Sequence, residues 1–206
     1  VQHVVACHAH VAGVHVGGGE AQRVAHVQPG ATGVREHVED VLLGPTGHRR
    51  RVAQWAGGRR VLNVFGYTGA FSVIAARCGA DSIETIDSSG PALAMAAHNA
   101  ELNGVDIGEL IEADAFTALR GLRDRARQYD LILLDPPKLA ATEGQVEKAS
   151  RAYKDLNLLA VKLLAPGGTL MTFSCSGTMS AELFQKVVAG AALDAKRTVR
   201  IIDRLH

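Results

Sequence analysis

The chain has 206 residues, of which 47% are hydrophobic and 21% charged, and its formal net charge is +1. That size and balance are typical of one globular domain with a full core, and the longest apolar stretches fall far short of the ~20 residues that span a bilayer. Its three widely spaced cysteines, Cys7, Cys78 and Cys175, predict free thiols and therefore a cytoplasmic protein.

Strands and helices alternate regularly from Arg59 onward. In chain order, the predicted elements are strand Val61–Phe65, helix Phe71–Cys78, strand Ser82–Ile86, helix Pro91–Leu102, strand Glu109–Glu112, helix Phe116–Arg127, strand Tyr129–Leu134, helix Gln145–Leu164, strand Thr169–Ser174, helix Ala181–Ala195 and strand Thr198–Asp203. This alternation predicts an α/β fold with a doubly wound, mostly parallel sheet. Residues 1–48 show no such pattern and hold seven of the nine histidines. We disfavour a metal site at His8, His10 and His15, because no carboxylate or thiol completes a ligand spacing.

A glycine-containing turn follows the first predicted strand and comprises Phe65, Gly66, Tyr67, Thr68 and Gly69. Glycines allow a backbone to approach a ligand closely and to turn tightly into the next helix. The turn is neither Gly-x-Gly-x-x-Gly nor a phosphate-binding P-loop, which argues against a nicotinamide dehydrogenase.

Acidic residues follow the second and third predicted strands. Asp87 lies 18 residues beyond Gly69, where a carboxylate can accept hydrogen bonds from ribose hydroxyls. Asp114 is placed to accept a hydrogen bond from the exocyclic amine of adenine. The simpler alternative for each is a helix cap, ahead of Pro91 and Phe116 respectively. With the turn, they favour an adenosine-containing cofactor.

Asp135, Pro136, Pro137 and Lys138 follow the fourth predicted strand. Two prolines hold a chain extended, so this loop can present Asp135 and its carbonyl groups rigidly to a planar base. Lys138 could meet a phosphate or the base. The alternative is a stiff connection between a strand and a helix.

Cys175 follows the fifth predicted strand and stands between two serines. A thiolate can add to C6 of a pyrimidine and thereby make C5 nucleophilic enough to take an alkyl group, which is covalent catalysis. The alternative is a structural cysteine, because free cysteine packs as a small apolar residue. Cys78, at a predicted helix end, has no comparable setting.

Taken together, these motifs resemble the catalytic domain of the bacterial large-subunit (23S) ribosomal RNA cytosine-C5 methyltransferases, which are class I enzymes that use S-adenosyl-L-methionine. The resemblance covers residues 48–206. It rests on Leu62–Phe71, Ile86–Ser89, Asp135–Lys138, Arg151–Asn157 and Thr172–Gly177.

The resemblance implies a role for each group of site residues. The implied cofactor-binding residues are Phe65, Gly66, Tyr67, Thr68, Gly69, Asp87, Ser88, Asp114, Ala115 and Asp135. The implied catalytic residues are Cys175 as nucleophile, Asp135 as the group that binds or protonates the cytosine N3 edge, and Lys138. The implied substrate-binding residues are Pro136, Pro137, Lys138, Tyr153 and Lys154, although a plain helix start explains the last two almost as well. The implied partner is large-subunit ribosomal RNA, with no metal and no membrane.

The resemblance also sets an expectation for the domains. Family members carry an amino-terminal RNA-binding PUA domain and a linking domain, neither of which is recognisable in residues 1–48. Codons for Glu39–Gly47, read one base later, can encode Lys-Thr-Phe-Phe-Leu-Asp-Gln-Arg, which matches the segment expected there. We therefore interpret residues 1–48 as an out-of-frame segment without a native fold and residues 49–206 as a truncated methyltransferase domain. The final antiparallel strand is expected to be missing, and the open apolar edge makes a homodimer the candidate assembly.

Two other functions compete with cytosine methylation. Methyltransferases that modify guanine N7 or an exocyclic amine attack through nitrogen and need no thiol, so Cys175 discriminates against them. A non-catalytic nucleotide- or RNA-binding remnant would bind the cofactor weakly or not at all. Arginine clusters at 49–51, 59–60 and 120–127 are compatible with an RNA partner and equally with solvated side chains.

Overall fold

The computed structural model describes residues 2–8 and 46–205, and its strands form one parallel sheet. The strands are β1 (Gln2–His8), β2 (Arg60–Val64), β3 (Ser82–Asp87), β4 (Glu109–Glu112), β5 (Tyr129–Leu134), β6 (Leu164–Ser174) and β7 (Val199–Leu205). They lie in the order β4-β3-β2-β5-β6-β1-β7, and neighbouring strands pair in parallel. The carboxyl ends of all these strands therefore meet at one edge of the sheet.

Within the described ranges, six α-helices connect or flank the strands. They are α1 (Thr46–Ala56), α2 (Ala70–Arg77), α3 (Gly90–Leu102), α4 (Ala115–Asp124), α5 (Val146–Leu163) and α6 (Ala181–Asp194). A short 3₁₀ turn at Glu143–Gln145 precedes α5. Side-chain oxygens of Ser89, Asp114 and Ser180 cap the first turns of α3, α4 and α6, as their positions immediately before these helices favour. No helix in the described part of the chain has the length and apolar character needed to cross a bilayer.

The two central strands, β2 and β5, are buried on both faces, which explains their mostly apolar sequences. The buried Asn63 of β2 donates to the Ser72 hydroxyl. Leu62 and Ile132 point into the layer formed with α4, α5 and α6. Val61, Leu131 and Leu133 point into the opposite layer, against α1 and α2. Alternate residues of one strand thus fill two separate cores, and the predicted doubly wound α/β class is confirmed.

Most predicted boundaries differ from the observed ones by one to three residues, and the ends of β2 and β6 show the physical reason. Phe65 has a φ of 63°, so the extended conformation of β2 stops at Val64. β6 begins at Leu164, directly after α5, whereas the sequence predicts its start at Thr169. Tyr129 pairs with Leu164 and Leu131 pairs with Thr169, so the intervening residues of β6 bulge out of the ladder.

The amino-terminal segment contributes one strand, β1, to the sheet. β1 pairs with β6 on one side and with β7 on the other. It lies in the place of the antiparallel strand that the sequence predicts to be missing, so the facing edges of β6 and β7 are both paired. The backbone N–H and C=O groups on the facing edges of β6 and β7 require hydrogen-bond partners. An extended segment between the two strands can bond to both edges. His10 and His15 lie outside the described residues, and the out-of-frame origin of residues 1–48 stays a prediction.

Candidate active site

The turn after β2 is tightly packed against its surroundings. Both Phe65 and Tyr67 have a positive φ, at 63° and 46°. A Cβ atom at Gly66 would collide with the Thr85 side chain, and one at Gly69 would lie 2.7 Å from the Ala96 Cβ. These glycines are therefore required for the turn to lie directly on β3 and α3. The side chain of Tyr67 is 51% exposed above it.

Asp87 connects this turn to the end of β3. Its Oδ2 atom accepts the backbone N–H of Tyr67 at 2.8 Å, and its Oδ1 atom accepts that of Ser89 at 2.9 Å. The capping alternative for Asp87 is not what the structure shows, because Ser89 provides the cap of α3. Each carboxylate oxygen has a further lone pair, which a ribose hydroxyl can use. Ser88, between Asp87 and Ser89 in the sequence, is exposed.

Asp114 occupies the capping position ahead of α4. Its Oδ1 atom accepts both the backbone N–H and the hydroxyl of Thr117, at 2.9 and 3.0 Å. Ala115 follows as the buried first residue of the helix. The capping alternative therefore describes Asp114 in this structure, and Oδ2 is the oxygen that an adenine amine would meet.

These groups fit an adenosine-containing cofactor. β2, β3 and β4 are consecutive neighbours in the sheet, so the glycine-containing turn, Asp87 and Asp114 follow three adjacent strand ends. The turn provides backbone close to the surface, and the two carboxylates provide acceptors for the hydroxyl and amine groups of a nucleoside. The cofactor roles of the individual residues stay predictions.

Asp135 and Cys175 lie together at the same edge. β5 and β6 are paired, with Leu134 opposite Thr172, so the loops that follow them start side by side. The Cys175 thiol donates to Asp135 Oδ1 across 3.6 Å. In the loop after β5, Pro136 is buried, whereas Pro137 and Lys138 are exposed. The structure therefore brings the predicted nucleophile and the predicted N3 partner into contact.

The surroundings of this pair favour its uncharged forms. Burial raises the pKa of the Asp135 carboxyl, and the hydrogen bond from Cys175 partly opposes that effect. The pKa of Cys175 rises from 9.0 to about 11, chiefly through desolvation and further through the charge and hydrogen bond of Asp135. Cys175 still reaches solvent, so desolvation acts on a thiol that a substrate can approach. At neutral pH the thiol keeps its proton and shares it with the carboxylate.

The Asp135→Asn variant is expected to lower the pKa of Cys175 from about 11 toward 9.0. A neutral amide no longer repels the thiolate, whereas desolvation remains and keeps the pKa above its ordinary value. The rate of Cys175 alkylation as a function of pH, followed by peptide mass spectrometry, measures this shift. Asp106→Asn is the control, because Asp106 accepts the Gly108 N–H in the loop before β4, at the opposite edge of the sheet. An unchanged alkylation profile for Asp135→Asn would show that the carboxylate does not act on the thiol.

Tyr153 and Lys154 do not occupy the substrate-contacting positions implied for them. Tyr153 is fully buried on α5, with its hydroxyl near Ser174 and Ser176. Lys154 pairs with Asp194 at 2.8 Å, at the end of α6. The loop that carries Cys175 leads into the start of α6, whose 14 residues place Asp194 about 20 Å away along the helix. The ion pair thus directs Lys154 away from the strand ends that carry Cys175, whereas Tyr153 lies buried beneath them.

Several arginines of the predicted basic clusters are held in ion pairs within the fold. Arg60 pairs with Asp130, Arg120 with Asp155, Arg123 with Asp124 and Arg127 with Glu84. These pairs favour a structural role for the clusters over a dedicated RNA surface.

Comparisons with known proteins agree with this geometry. The model of the S-adenosylmethionine-dependent methyltransferase family matches residues 33–204, beginning inside the amino-terminal segment. Ribosomal RNA large subunit methyltransferase I from Shewanella denitrificans is 48% identical over 175 residues, which cover 84% of this chain and 44% of that protein. The chain thus spans less than half the length of the curated relatives it matches.

Two solved structures share the fold. A protein described as a SAM-dependent methyltransferase from Streptococcus mutans has a TM-score of 0.62 and 28% identity, covering 70% of this chain and 38% of its own. A second, described as a methyltransferase in complex with SAH, has a TM-score of 0.59 and 26% identity, covering 76% and 39%. The chain belongs to the S-adenosylmethionine-dependent methyltransferase family, and its strand-end site fits that cofactor.

Proposed function

We propose that this chain transfers the methyl group of S-adenosyl-L-methionine to C5 of a cytosine in large-subunit ribosomal RNA, through a covalent adduct at Cys175. The observation that carries the proposal is the 3.6 Å contact between the Cys175 thiol and Asp135, at the edge where the glycine-containing turn and Asp87 also lie. The name of the relative from Shewanella denitrificans supports ribosomal RNA as the substrate. The thiol supports carbon rather than nitrogen as the methylated atom.

The reaction divides a difficult substitution into easier steps. Cys175 uses a sulfur lone pair to form a bond to C6 of the cytosine, and the electrons of the C5–C6 double bond become available at C5. The thiol proton passes to Asp135, which donates a proton to N3 and so neutralises the charge that develops on the ring. When bound, the cofactor would supply the electrophilic methyl group: C5 forms a bond to the methyl carbon, the sulfonium C–S bond breaks, and its electrons stay on the sulfur of the S-adenosylhomocysteine that leaves. When a base has removed the C5 proton, the electrons of that C–H bond re-form the C5–C6 double bond and the C6–S bond breaks with its electrons on Cys175. The proton on N3 returns through Asp135 to the sulfur.

Asp135 is suited to this proton transfer because its pKa is raised by burial. A general acid works best when its pKa lies near the working pH, so that it can both accept and release a proton. The buried Pro136 and exposed Pro137 hold the loop that presents it. We assign the exposed Lys138 to a phosphate or base of the RNA.

The proposal extends to location and assembly. We place the reaction in the cytoplasm, where free thiols stay reduced. Residues 49–206 form the methyltransferase domain in this proposal, and a homodimer stays a prediction.

Nucleoside analysis tests the proposed reaction directly. Large-subunit ribosomal RNA that lacks the modification is incubated with the chain and S-adenosyl-L-methionine, digested to nucleosides and analysed by mass spectrometry. We expect 5-methylcytidine. Formation of 7-methylguanosine or an N-methylated nucleoside instead would contradict attack through carbon. Absence of any methylated nucleoside, with no calorimetric binding of the cofactor, would identify the chain as a non-catalytic remnant.

A further inference from the structure

Three buried hydroxyl groups lie beneath Cys175. Ser174 and Tyr153 are fully buried, and Ser176 is 1% exposed. The Ser174 hydroxyl donates to Tyr153 Oη at 3.2 Å, and Tyr153 Oη lies 3.2 Å from Ser176 Oγ. Successive side chains of an extended segment point to opposite faces, so Ser174 and Ser176 point inward while Cys175 points toward Asp135.

The Ser176 hydroxyl also holds the loop that carries Asp135. The backbone N–H of Ala140 donates to Ser176 Oγ at 3.0 Å, and the Thr178 hydroxyl donates to the Ala140 carbonyl at 3.4 Å. Ala140 is fully buried. The loop after β5 is therefore attached at Ala140 to the loop after β6, close to Ser176.

The single proton on each hydroxyl group determines the direction of these hydrogen bonds. A hydroxyl has one proton to donate, and it accepts through its lone pairs. Because Ser174 donates to Tyr153, the phenol proton is available for Ser176, which also accepts from Ala140. A buried hydroxyl without a hydrogen-bond partner is destabilising, so this arrangement has few alternatives of similar energy.

We propose that Tyr153 is a positioning residue that fixes the spacing between Cys175 and Asp135 by holding Ser176, whose hydroxyl joins the loop after β6 to the loop after β5. This inference rests on the proposed covalent mechanism, in which sulfur must approach C6 while the carboxyl group meets N3 of the same base. Reacting atoms held about 3–3.5 Å apart react efficiently, and a displacement of about 1 Å can cost about 10²-fold in rate. Tyr153 therefore acts on the reaction without touching the RNA.

The Tyr153→Phe variant removes only the hydroxyl. The ring keeps its edge-to-face contact with Phe184, at 5.4 Å between centroids and 84° between planes. We expect kcat for methyl transfer to fall about 10- to 100-fold, with KM for RNA and the Kd of the cofactor unchanged. The pH profile of Cys175 alkylation is expected to shift toward lower pH. Asp135 is the charged group that acts on the thiol from the loop after β5, and a freed loop separates the two and admits water.

Tyr129→Phe provides a matched control. Tyr129 is also a buried tyrosine, 2% exposed, and its hydroxyl donates to Glu84 Oε2 at 2.6 Å. It begins β5, at the edge of the sheet opposite Asp135. This variant is expected to lower stability while leaving kcat and the Cys175 alkylation profile of the folded protein unchanged.

Two outcomes would overturn the inference. One is a Tyr153→Phe protein with the kcat and alkylation profile of the original chain, and the other is an equal change in both tyrosine variants. Ser176→Ala, which removes the acceptor for both Tyr153 and Ala140, is expected to shift the alkylation profile in the same direction and serves if Tyr153→Phe does not fold. Alkylation requires no RNA, so a failure to methylate cytosine would refute the proposed function while this measurement still decides the role of Tyr153.

Discussion

Replacing Cys175 by alanine is expected to abolish methyl transfer to cytosine while leaving the binding of S-adenosyl-L-methionine intact. Without the sulfur no bond to C6 can form, and C5 of an unactivated cytosine is a poor nucleophile. Removal of an activated nucleophile costs on the order of 10⁶-fold in kcat in a well-studied protease, so turnover should fall to background. Radiolabelled methyl transfer to RNA and calorimetric titration with the cofactor measure the two effects separately.

Cys78→Ala is the matched control for this prediction. Cys78 is a half-buried free thiol at the end of α2, and its backbone N–H bonds to carbonyl groups of that helix. Its removal takes away a thiol without touching the edge that carries Asp135, so methyl transfer should persist. A Cys175→Ala protein that still transfers methyl groups at the original rate would favour attack through a ring or amine nitrogen.

The two results together separate the competing functions. The carbon mechanism requires loss of transfer and retention of cofactor binding in Cys175→Ala. A nitrogen methyltransferase would retain both, because its substrate nitrogen attacks directly. If the chain is a non-catalytic remnant, the original sequence would show neither methyl transfer nor cofactor binding.

The sequence predicted the parallel sheet well because local patterns and burial agree there. β5 ends in the apolar run 131–134 and β2 is mostly apolar, as two-sided burial requires, and each strand is followed by polar residues that form the candidate site. Since parallel strands end at one edge, the sequence also predicted that Asp87, Asp135 and Cys175 follow strand ends there. The contact between the Asp135 and Cys175 side chains depends on the pairing of β5 with β6, which sequence spacing suggests only indirectly.

Other features depend on tertiary contacts that leave little trace in the sequence. β1 lacks a clear alternating pattern, and its pairing is set by the facing edges of β6 and β7. Tyr153 belongs to a motif that resembles a functional one, but only the packing of α5 against α6 shows that its hydroxyl is buried. The signal that could have revealed its role is the pair of serines on either side of Cys175, because alternation places them on the inner face.

Asp87→Ala is expected to weaken the binding of S-adenosyl-L-methionine about 10²-fold or more. Hydrogen bonds to a charged group contribute about 1.5–3 kcal/mol each, and about 1.4 kcal/mol corresponds to a tenfold change in affinity. Two such bonds to ribose hydroxyls would be lost. The substitution also leaves the backbone N–H groups of Tyr67 and Ser89 without their acceptor, so the turn that lies beside the cofactor loses its attachment to β3. Calorimetric titration measures the change in Kd.

Asp106→Ala separates the loss of the ligand contact from the loss of a turn. Asp106 also accepts a backbone N–H, from Gly108 at 2.8 Å, but its loop lies before β4 at the edge of the sheet away from the candidate site. Both substitutions remove a local hydrogen bond and should lower the melting temperature slightly. Because a ligand stabilises the folded state in proportion to ln(1 + [L]/Kd), added cofactor should raise the melting temperature of Asp106→Ala as in the original chain and that of Asp87→Ala much less. An equal rise in both variants would mean that Asp87 stabilises the turn without contacting the cofactor. The ribose hydroxyls would then donate to other acceptors at the strand ends.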